Sequence, residues 1–360
     1  MVPGLLALAS ACGAPPAGHD GEVDAGAVDG GADGGHLADA GTEDAGPADA
    51  GAPDAGLADS GMLDAGLPDS GMPDAGSADA GTPDAGIGPD GCALPEGTGA
   101  PFRVRAVAAN LTSGNLQSWD PGHAQRILQG LQPDVVLIQE FNYGSNSPGD
   151  LRTFVDAVCG TSCAYTRGAG SIPNGVISRW PIAASGEWAD PRVGNRGFTW
   201  ALIDVPGPRD LWAVSLHLLT STAGERNQEA QALVQRLNAQ VPTRDFLLVG
   251  GDFNTDNRSE ACVTTLGQRT VTAGPHPVDQ GGVGGTNAGR TKPYDWVLAS
   301  RCLQKSQAAV SIGAQAFGAG LVFDSRVYVP LADVPPVLQS DSAGPQMQHM
   351  AVVKDFVVQP

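Results

Sequence analysis

From residue 102 onward, apolar and polar residues follow the periods of strands and helices. The stretch FRVRAVAANL, residues 102–111, alternates with a period of two, which predicts a strand with one buried face. Residues 120–132, DPGHAQRILQGLQ, instead repeat apolar side chains three and four positions apart after an Asp-Pro start signal. The chain therefore begins its patterned region with a strand followed by an amphipathic helix.

The same two patterns continue to the C-terminus. Further strands are predicted at DVVLIQE, NGVISRWPI, FTWALIDV, DLWAVSLHLL, DFLLVGG, YDWVLAS and MAVVKDFVV, and helices at 151–159, 223–241 and 259–268. The link PGPR between two of the strands is typical of a hairpin. Many strands, some in hairpins, with few helices favour an α/β sandwich over a doubly wound parallel sheet. The length of this region suits one domain.

Residues 1–92 have a different pattern. Aspartate recurs at every fifth position from Asp39 to Asp84, in units such as PADAG and LPDSG. A segment with so few large apolar side chains and so many like charges cannot offset the entropy that ordering would cost. We therefore predict a disordered acidic linker over residues 13–92. A structural repeat is the alternative, but units with at most one Leu or Met offer no core.

Charge separates the same two regions. The chain has 39 acidic and 20 basic residues, and 17 of the acids, but none of the bases, precede residue 93. The predicted domain, residues 93–360, is left with 22 acids against 20 bases and is nearly neutral. It therefore lacks the basic surface typical of a strong non-specific DNA-binding protein.

The N-terminus carries a short apolar run, LLALASAC, that ends at Cys12 and is followed by Gly13. This pattern resembles the cleavage box of bacterial lipoproteins, in which the cysteine is lipidated, so residues 1–12 predict an exported protein, membrane-anchored or secreted. The third residue before the cysteine is Ala9 rather than Leu, and no Lys or Arg precedes the run. An apolar N-terminus without a targeting role is the alternative. The run is too short to cross a bilayer as a helix.

Five further cysteines bear on the folded region: Cys92, Cys159, Cys163, Cys262 and Cys302. In an exported protein, four of them would form two disulfides and leave one thiol. Local spacing favours Cys159–Cys163 and, less strongly, Cys262–Cys302. Buried free thiols are the alternative, and the spacing alone leaves the pairing open.

Polar residues stand at the ends of the predicted strands. They are Asn110, Glu140, His217, Asp252, Asn254, Asp295, Asp341 and His349. Taken singly, such an acid is usually a solvated surface group and such a histidine a hydrogen-bonded core residue. Their joint order along the chain carries the functional signal.

The motifs AANL, DVVLIQE, NGVISRWPI, SLHL, GGDFN and YDWVL, followed by a final Asp and His, carry these residues. Their order resembles that of the endonuclease/exonuclease/phosphatase family, the DNase I-like superfamily, over residues 102–358. The resemblance implies a four-layer α/β/β/α sandwich, in which two packed mixed sheets are flanked by helices.

The resemblance also implies a hydrolase that uses Mg²⁺, with Mn²⁺ or Ca²⁺ as alternatives. Glu140 is implied as the direct ligand, with Asn110 beside it and Asp341 as a further contact. Hydrolysis of a phosphodiester needs positive charge on the non-bridging oxygens, and few Lys or Arg stand near these motifs to supply it. A divalent cation is therefore expected.

Acid–base and substrate roles follow from the same resemblance. His349 is implied as the general base, oriented by Asp295, and His217 as a second histidine that acts as an acid or stabilises developing charge. Asn254 would donate hydrogen bonds to the phosphate, and Asp252 would orient a histidine or the attacking water.

Two further points concern substrate binding and a departure from the family. Arg179, in NGVISRWPI, is assigned to the substrate by the resemblance. In the family the final Asp and His are usually adjacent, whereas Asp341 and His349 stand eight positions apart here. Either a loop is inserted between them, or Asp341 is simply a polar loop residue.

These observations predict an exported, Mg²⁺-dependent phosphodiesterase that acts on nucleic acid or on a phospholipid head group. A monomer is expected, joined to a membrane through Cys12 if that residue is lipidated. The alternatives are a phosphomonoesterase of inositol phosphates or phosphoinositides on the same fold, and a catalytically inactive lipoprotein that binds a surface partner. The loops that would select the substrate, such as residues 142–150 and 313–340, carry no recognisable motif.

Overall fold

A computed structural model describes Cys92 and residues 99–360 of the chain. The predicted signal segment, the lipidation of Cys12 and the acidic linker up to residue 91 lie outside the described residues. Among the helices that are described, none is both long enough and apolar enough to cross a membrane.

Fourteen strands are found in the described part of the chain. They are β1 (Phe102–Ala109), β2 (Val135–Ile138), β3 (Ala164–Arg167), β4 (Gly175–Ser178), β5 (Ile182–Ala189), β6 (Gly197–Ile203), β7 (Leu211–His217), β8 (Phe246–Asp252), β9 (Asp295–Ala299), β10 (Gln307–Ala308), β11 (Val310–Ile312), β12 (Gln315–Phe317), β13 (Leu321–Phe323) and β14 (Ala351–Val358). The helices are α1 (His123–Leu131), α2 (Pro148–Cys159), α3 (Ala223–Gln240), α4 (Ala261–Leu266) and α5 (Arg301–Gln304), with 3₁₀ turns at Leu331–Asp333 and Asp341–Ala343.

The strands form two mixed sheets and a small hairpin. The first sheet has the order β10-β14-β1-β2-β4-β3, and β13 also pairs with β14. The second has the order β5-β6-β7-β8-β9, while β11 and β12 form the hairpin. The only parallel pairs within these described sheets are β1–β2 and β7–β8.

The two sheets pack face to face, and helices cover their outer faces. One buried cluster joins inward side chains of the first sheet, such as Val104 and Ala106, to those of the second, such as Leu248 and Val297. The outer face of the first sheet packs with α1 and α2, and that of the second with α3 and α4. This arrangement confirms the predicted four-layer α/β/β/α sandwich.

One end of the sandwich collects the polar strand ends. In the parallel pairs, Ala109 lies beside Ile138 and His217 lies beside Asp252, so the residues that follow these strands emerge together. Strand β9 runs antiparallel to β8 and begins at the same end, with Asp295 beside Asp252. Sheet topology thus brings together residues that are far apart in the sequence.

The disulfides agree with the sequence prediction in one case out of two. Cys159–Cys163 is confirmed, whereas the pairing of Cys262 with Cys302 is wrong. Cys302 is bonded to Cys92, and Cys262 is a buried free thiol. The reason is the layering of the fold: Cys262 lies on α4 in the outer helical layer, while Cys302 lies with the cluster between the sheets.

Candidate active site

Asp252 is the centre of a buried polar cluster. Its Oδ2 atom lies 3.0 Å from Nδ2 of Asn110, 3.3 Å from Nε2 of His217 and 3.5 Å from Nε2 of His349. These groups come from the ends of β1, β7 and β8 and from the residue pair that precedes β14. The structure therefore brings three of the predicted site residues, Asn110, His217 and His349, onto the carboxylate of a fourth.

A glycine next to Asp252 makes this arrangement sterically possible. Gly251 has a φ angle of 132°, in the region that favours glycine. A Cβ atom at this position would lie 2.1 Å from the carbonyl oxygen of Leu216 and 2.5 Å from Nε2 of Gln139. The second glycine of GGDFN is thus required where β8 delivers Asp252 to the cluster.

Glu140 and Asn110 form the oxygen-rich side of the cluster. Asn110 Nδ2 donates to Oε1 of Glu140 over 3.2 Å, and the hydroxyl of Thr112 donates to Oε2 over 3.2 Å. Glu140 holds a left-handed backbone with φ of 49°, an uncommon conformation that is often found at functional sites. Burial raises the pKa of its carboxyl, and the charge of Asp252 raises it further.

The donor set of this cluster fits a hard divalent cation. Oδ1 of Asn110 is buried and has no hydrogen-bond partner among the described residues, and it stands beside the carboxylate of Glu140. A second set, formed by Asp252, Asp295 and His349, has ligand atoms within 4.8 Å of one another. In that second set, Asp295 and His349 form a hydrogen bond with each other. Glu140 and Asn110 are therefore more available than this pair as ligands of a cation.

His349 and Asp295 form a buried pair. Nδ1 of His349 lies 3.0 Å from Oδ2 of Asp295, and the backbone N–H of Asp295 donates to the hydroxyl of Thr286. Burial alone would lower the pKa of His349, but the charges of Asp295, Asp252 and Glu140 raise it to about 9. The imidazole is therefore protonated at neutral pH unless some of that negative charge is neutralised.

His217 has the opposite electrostatic character. Burial lowers its pKa to about 3, so the ring is neutral at physiological pH. Its Nδ1 atom has no hydrogen-bond partner within the described chain and lies 3.9 Å from Oε1 of Glu140. A neutral ring lacks the extra proton that an acid would release at this pH, and its other predicted role, stabilisation of developing charge, stays a prediction.

Asn254 and Arg196 hold the loop after β7. Asn254 has a φ angle of 50° and donates from Nδ2 to the carbonyl oxygen of Leu218 over 2.9 Å. Arg196 donates to the carbonyl oxygens of His217 and Leu218 over 2.6 and 3.2 Å. Sequence reasoning found Asn254 but missed Arg196 and Thr112, because neither stands in a motif of its own.

Asp341 does not join the cluster, so its prediction as a metal ligand is wrong. It lies in a 3₁₀ turn, is completely buried, and accepts from Nη2 and Nε of Arg126 at 2.5 and 3.1 Å. Its Oδ2 atom also accepts from the backbone N–H of Leu338. Both carboxylate oxygens are thus already occupied by an ion pair that joins this turn to α1.

Arg179 lies at the other end of the first sheet, so its prediction as a substrate ligand is also wrong. Its Nη1 atom donates to Oδ1 of Asp134 over 2.6 Å. Asp134 precedes β2, whereas Glu140 follows it, and six residues of extended chain separate the two by roughly 20 Å. The arginine therefore has a structural role at the end remote from the cluster.

The sequence profile described as the Endonuclease/Exonuclease/phosphatase family matches residues 100–319, which is more than half of the chain. The match includes every cluster residue up to Asp295 and ends before His349. None of the curated protein sequences matches the chain significantly.

Solved structures have the same fold at low sequence identity. An endonuclease/exonuclease/phosphatase from Beutenbergia cavernae is 16% identical with a TM-score of 0.50, over 71% of this chain and 72% of that one. A functionally unknown conserved protein from Enterococcus faecalis is 11% identical with a TM-score of 0.50, over 72% of this chain and 100% of that one. At these identities the likeness concerns the fold alone.

Proposed function

Because the chain belongs to the endonuclease/exonuclease/phosphatase family, whose members are hydrolases of phosphoesters, we propose that it is a Mg²⁺-dependent phosphodiesterase. One observation carries the proposal: the ends of six strands bring Asn110, Glu140, His217, Asp252 and the Asp295–His349 pair into one largely buried cluster. Buried ionisable groups at such density are costly for folding and are typical of catalytic sites.

In the proposed reaction, water attacks phosphorus, the bond to the leaving oxygen breaks, and that oxygen takes up a proton. Asp295 holds Nδ1 of His349, so Nε2 is the atom that exchanges the proton with water or with the leaving group. Asp252 orients both histidines, and His217 would donate a hydrogen bond to a phosphate oxygen as charge develops there.

Glu140 and Asn110 would hold the cation, because Oδ1 of Asn110 is buried without a hydrogen-bond partner and the neighbouring Glu140 carboxylate forms no ion pair with Lys or Arg in the described structure. When bound, Mg²⁺ would supply positive charge to the non-bridging oxygens and offset the carboxylates that keep His349 protonated. Mn²⁺ and Ca²⁺ present the same hard-cation chemistry and are alternative occupants.

The proposed substrate is a phosphodiester in a nucleic acid or a phospholipid head group. The near-neutral folded region lacks a strongly basic surface, so we propose that affinity comes from the catalytic cluster and its loops rather than from long-range charge. Export, a lipid anchor at Cys12 and a monomeric state are part of the same proposal. Export and the anchor rest on the N-terminal apolar run and the acidic linker.

The decisive experiment compares the full chain on bis-p-nitrophenyl phosphate and on p-nitrophenyl phosphate, with Mg²⁺ and with excess EDTA. We expect Mg²⁺-dependent release of p-nitrophenol from the diester, lost in Asp252→Asn and retained in Arg179→Ala. Turnover of the monoester alone would favour a phosphomonoesterase. If folded protein turns over neither ester with Mg²⁺, Mn²⁺ or Ca²⁺, the catalytic proposal is wrong.

A further inference from the structure

A lysine occupies a position of the last strand that faces the core between the two sheets. On β14, alternate residues point into that core, and Met350, Val352, Phe356 and Val358 belong to the buried inter-sheet cluster. Lys354 lies two residues from Val352 and from Phe356, so it is on the same face of the strand, and only 7% of the residue is exposed. In MAVVKDFVV a long cationic side chain thus stands where the pattern of the strand calls for an apolar one.

This ammonium group has no partner within residues 99–360. It takes part in no hydrogen bond and no ion pair, and the one charged group that acts on it is the guanidinium of Arg258. Burial of an unpaired charge is unfavourable, and a second positive charge close by makes it more so. Burial and Arg258 together lower the pKa of Lys354 to about 8, so most of the group is still charged at pH 7.

Arg258 and His276 face the same cleft. Both pack on Trp296: the guanidinium carbon lies 5.0 Å from the ring centroid, and the His276 ring meets it edge-on at 5.6 Å. Arg258 donates to the carbonyl oxygen of Gly284 over 2.8 Å, a neutral acceptor that leaves its charge unbalanced. Burial, with Arg258 and Lys354 nearby, lowers the pKa of His276 to about 4, so this ring is neutral.

The cleft offers hydroxyl donors from Thr272 and Thr286 beside the three basic residues. Asp295 is the one acid among the residues that line it. Its Oδ2 atom pairs with His349, while its Oδ1 atom is buried without a hydrogen-bond partner in the described structure. The charge of Asp295 is not among those that act on Lys354. Two positive charges therefore face a common space in which no described acid pairs with either of them.

The space itself is small. The centre of a water molecule has about 10 Å³ in which to move, which is room for one water molecule or one ion of similar size. A phosphate or sulfate ion is larger than this space and would require the cleft to widen, whereas a halide ion fits within it.

We propose that the cleft lined by Arg258, His276 and Lys354 is a binding site for a single monovalent anion of halide size, such as chloride. The anion balances the two buried cations and accepts hydrogen bonds from the ammonium group and the threonine hydroxyls. It lies behind Asp295, on a different set of residues from the oxygen cluster of Glu140 and Asn110.

The test titrates the full chain with chloride at constant ionic strength, with gluconate as the replacement anion. We expect excess broadening of the ³⁵Cl NMR line that saturates and is displaced by bromide. We also expect a melting temperature higher by about 2–4 °C in 100 mM chloride than in gluconate. Lys354→Met keeps the length and core character of the side chain but removes its charge, and both effects should disappear.

Lys305→Met is the matched control, since Lys305 is an exposed lysine away from the cleft, and it should keep both effects. Arg258→Gln provides a second variant if Lys354→Met does not fold. A wild-type protein with no excess ³⁵Cl broadening and equal melting temperatures in the two salts would show that the cleft holds water only. Displacement of chloride by phosphate at equal concentration would contradict the halide-sized site.

Discussion

Nδ1 of His349 lies 3.0 Å from Oδ2 of Asp295, although 54 positions separate the two residues in the sequence. The contact leaves Nε2 of His349 facing Asp252 and Asn110, at 3.5 and 3.4 Å. One ring nitrogen is thus fixed by a carboxylate while the other faces the centre of the cluster. This geometry makes the two residues a single hydrogen-bonded unit.

If they act as one unit, His349→Ala and Asp295→Asn should each lower kcat by about 10²–10⁴ with little change in KM. The double variant should lose far less than the product of the two single losses. The measurement is steady-state turnover, normalised to the folded fraction by circular dichroism. Near-wild-type turnover of folded His349→Ala would assign the base role to another residue.

Replacing the Glu140 carboxylate with an amide should weaken cation binding. Glu140→Gln keeps the shape of the side chain but removes its charge, so the remaining ligands are amide and water oxygens. We expect turnover to fall at 1 mM Mg²⁺ by roughly tenfold or more and to recover partly at high Mg²⁺. Calorimetric titration with Mg²⁺ should show the weaker affinity directly, whereas Asp204→Asn, at an exposed acid after β6, should match the wild type. Unchanged Mg²⁺ affinity in Glu140→Gln would place the cation elsewhere.

The ion pair between Asp341 and Arg126 should matter for stability and not for catalysis. Asp341→Asn removes a buried charge and leaves the partly exposed Arg126 without its partner. We expect a loss of about 1–3 kcal/mol in the free energy of unfolding, measured by urea denaturation. Folded protein should keep wild-type kcat and Mg²⁺ affinity. Reduced Mg²⁺ affinity with unchanged stability would restore Asp341 as a ligand.

Glu229 should make the protein less stable as the pH rises from about 4.5 to 8. Burial raises the pKa of this carboxyl from 4.5 to about 8, and both its oxygens accept from the backbone N–H of Leu219. Between these pH values the folded protein binds the proton and the unfolded chain does not. The free energy of unfolding therefore falls with increasing pH in this window.

Glu229→Gln removes this dependence while its amide oxygen still accepts from Leu219. At pH 8 the variant should exceed the wild type in unfolding free energy by an amount on the order of 1–3 kcal/mol, and the two should converge near pH 4.5. Urea denaturation at a series of pH values measures both slopes. Identical slopes would show that Glu229 is ionised in the folded protein at neutral pH.

The fold and the centre of the cluster could be predicted from the sequence because they depend on repeated local signals. Most long strands are alternating or continuous apolar runs, and Asn110, His217 and Asp252 can be recognised in the sequence as the polar residues at the ends of three of them. Strands β3 and β5 and the strands from β10 to β13 were missed. The first two are edge strands whose residues are mostly partly or fully exposed, and the others have only two or three residues, too few to show a period.

The wrong site assignments have one physical cause, which is that charge partners are not local. Asp341 meets Arg126 across 215 positions, and Arg179 meets Asp134 across 45. The sequence pattern shows that a polar residue follows a strand. It does not show at which end of the sheet that residue lies, nor which cationic side chain pairs with it. The elevated pKa of His349 could not be predicted for the same reason, because the three carboxylates that raise it are distant in the sequence.

The disulfide between Cys92 and Cys302 determines where a pulling force on the chain at Cys92 acts on the folded region. Cys302 follows β9, whose first residue, Asp295, belongs to the cluster, and five extended residues place the two ends of that strand roughly 15 Å apart. Strand β1 likewise begins at the end remote from Asn110. A force applied at Cys92 is therefore taken up at the end of the sandwich opposite the candidate active site.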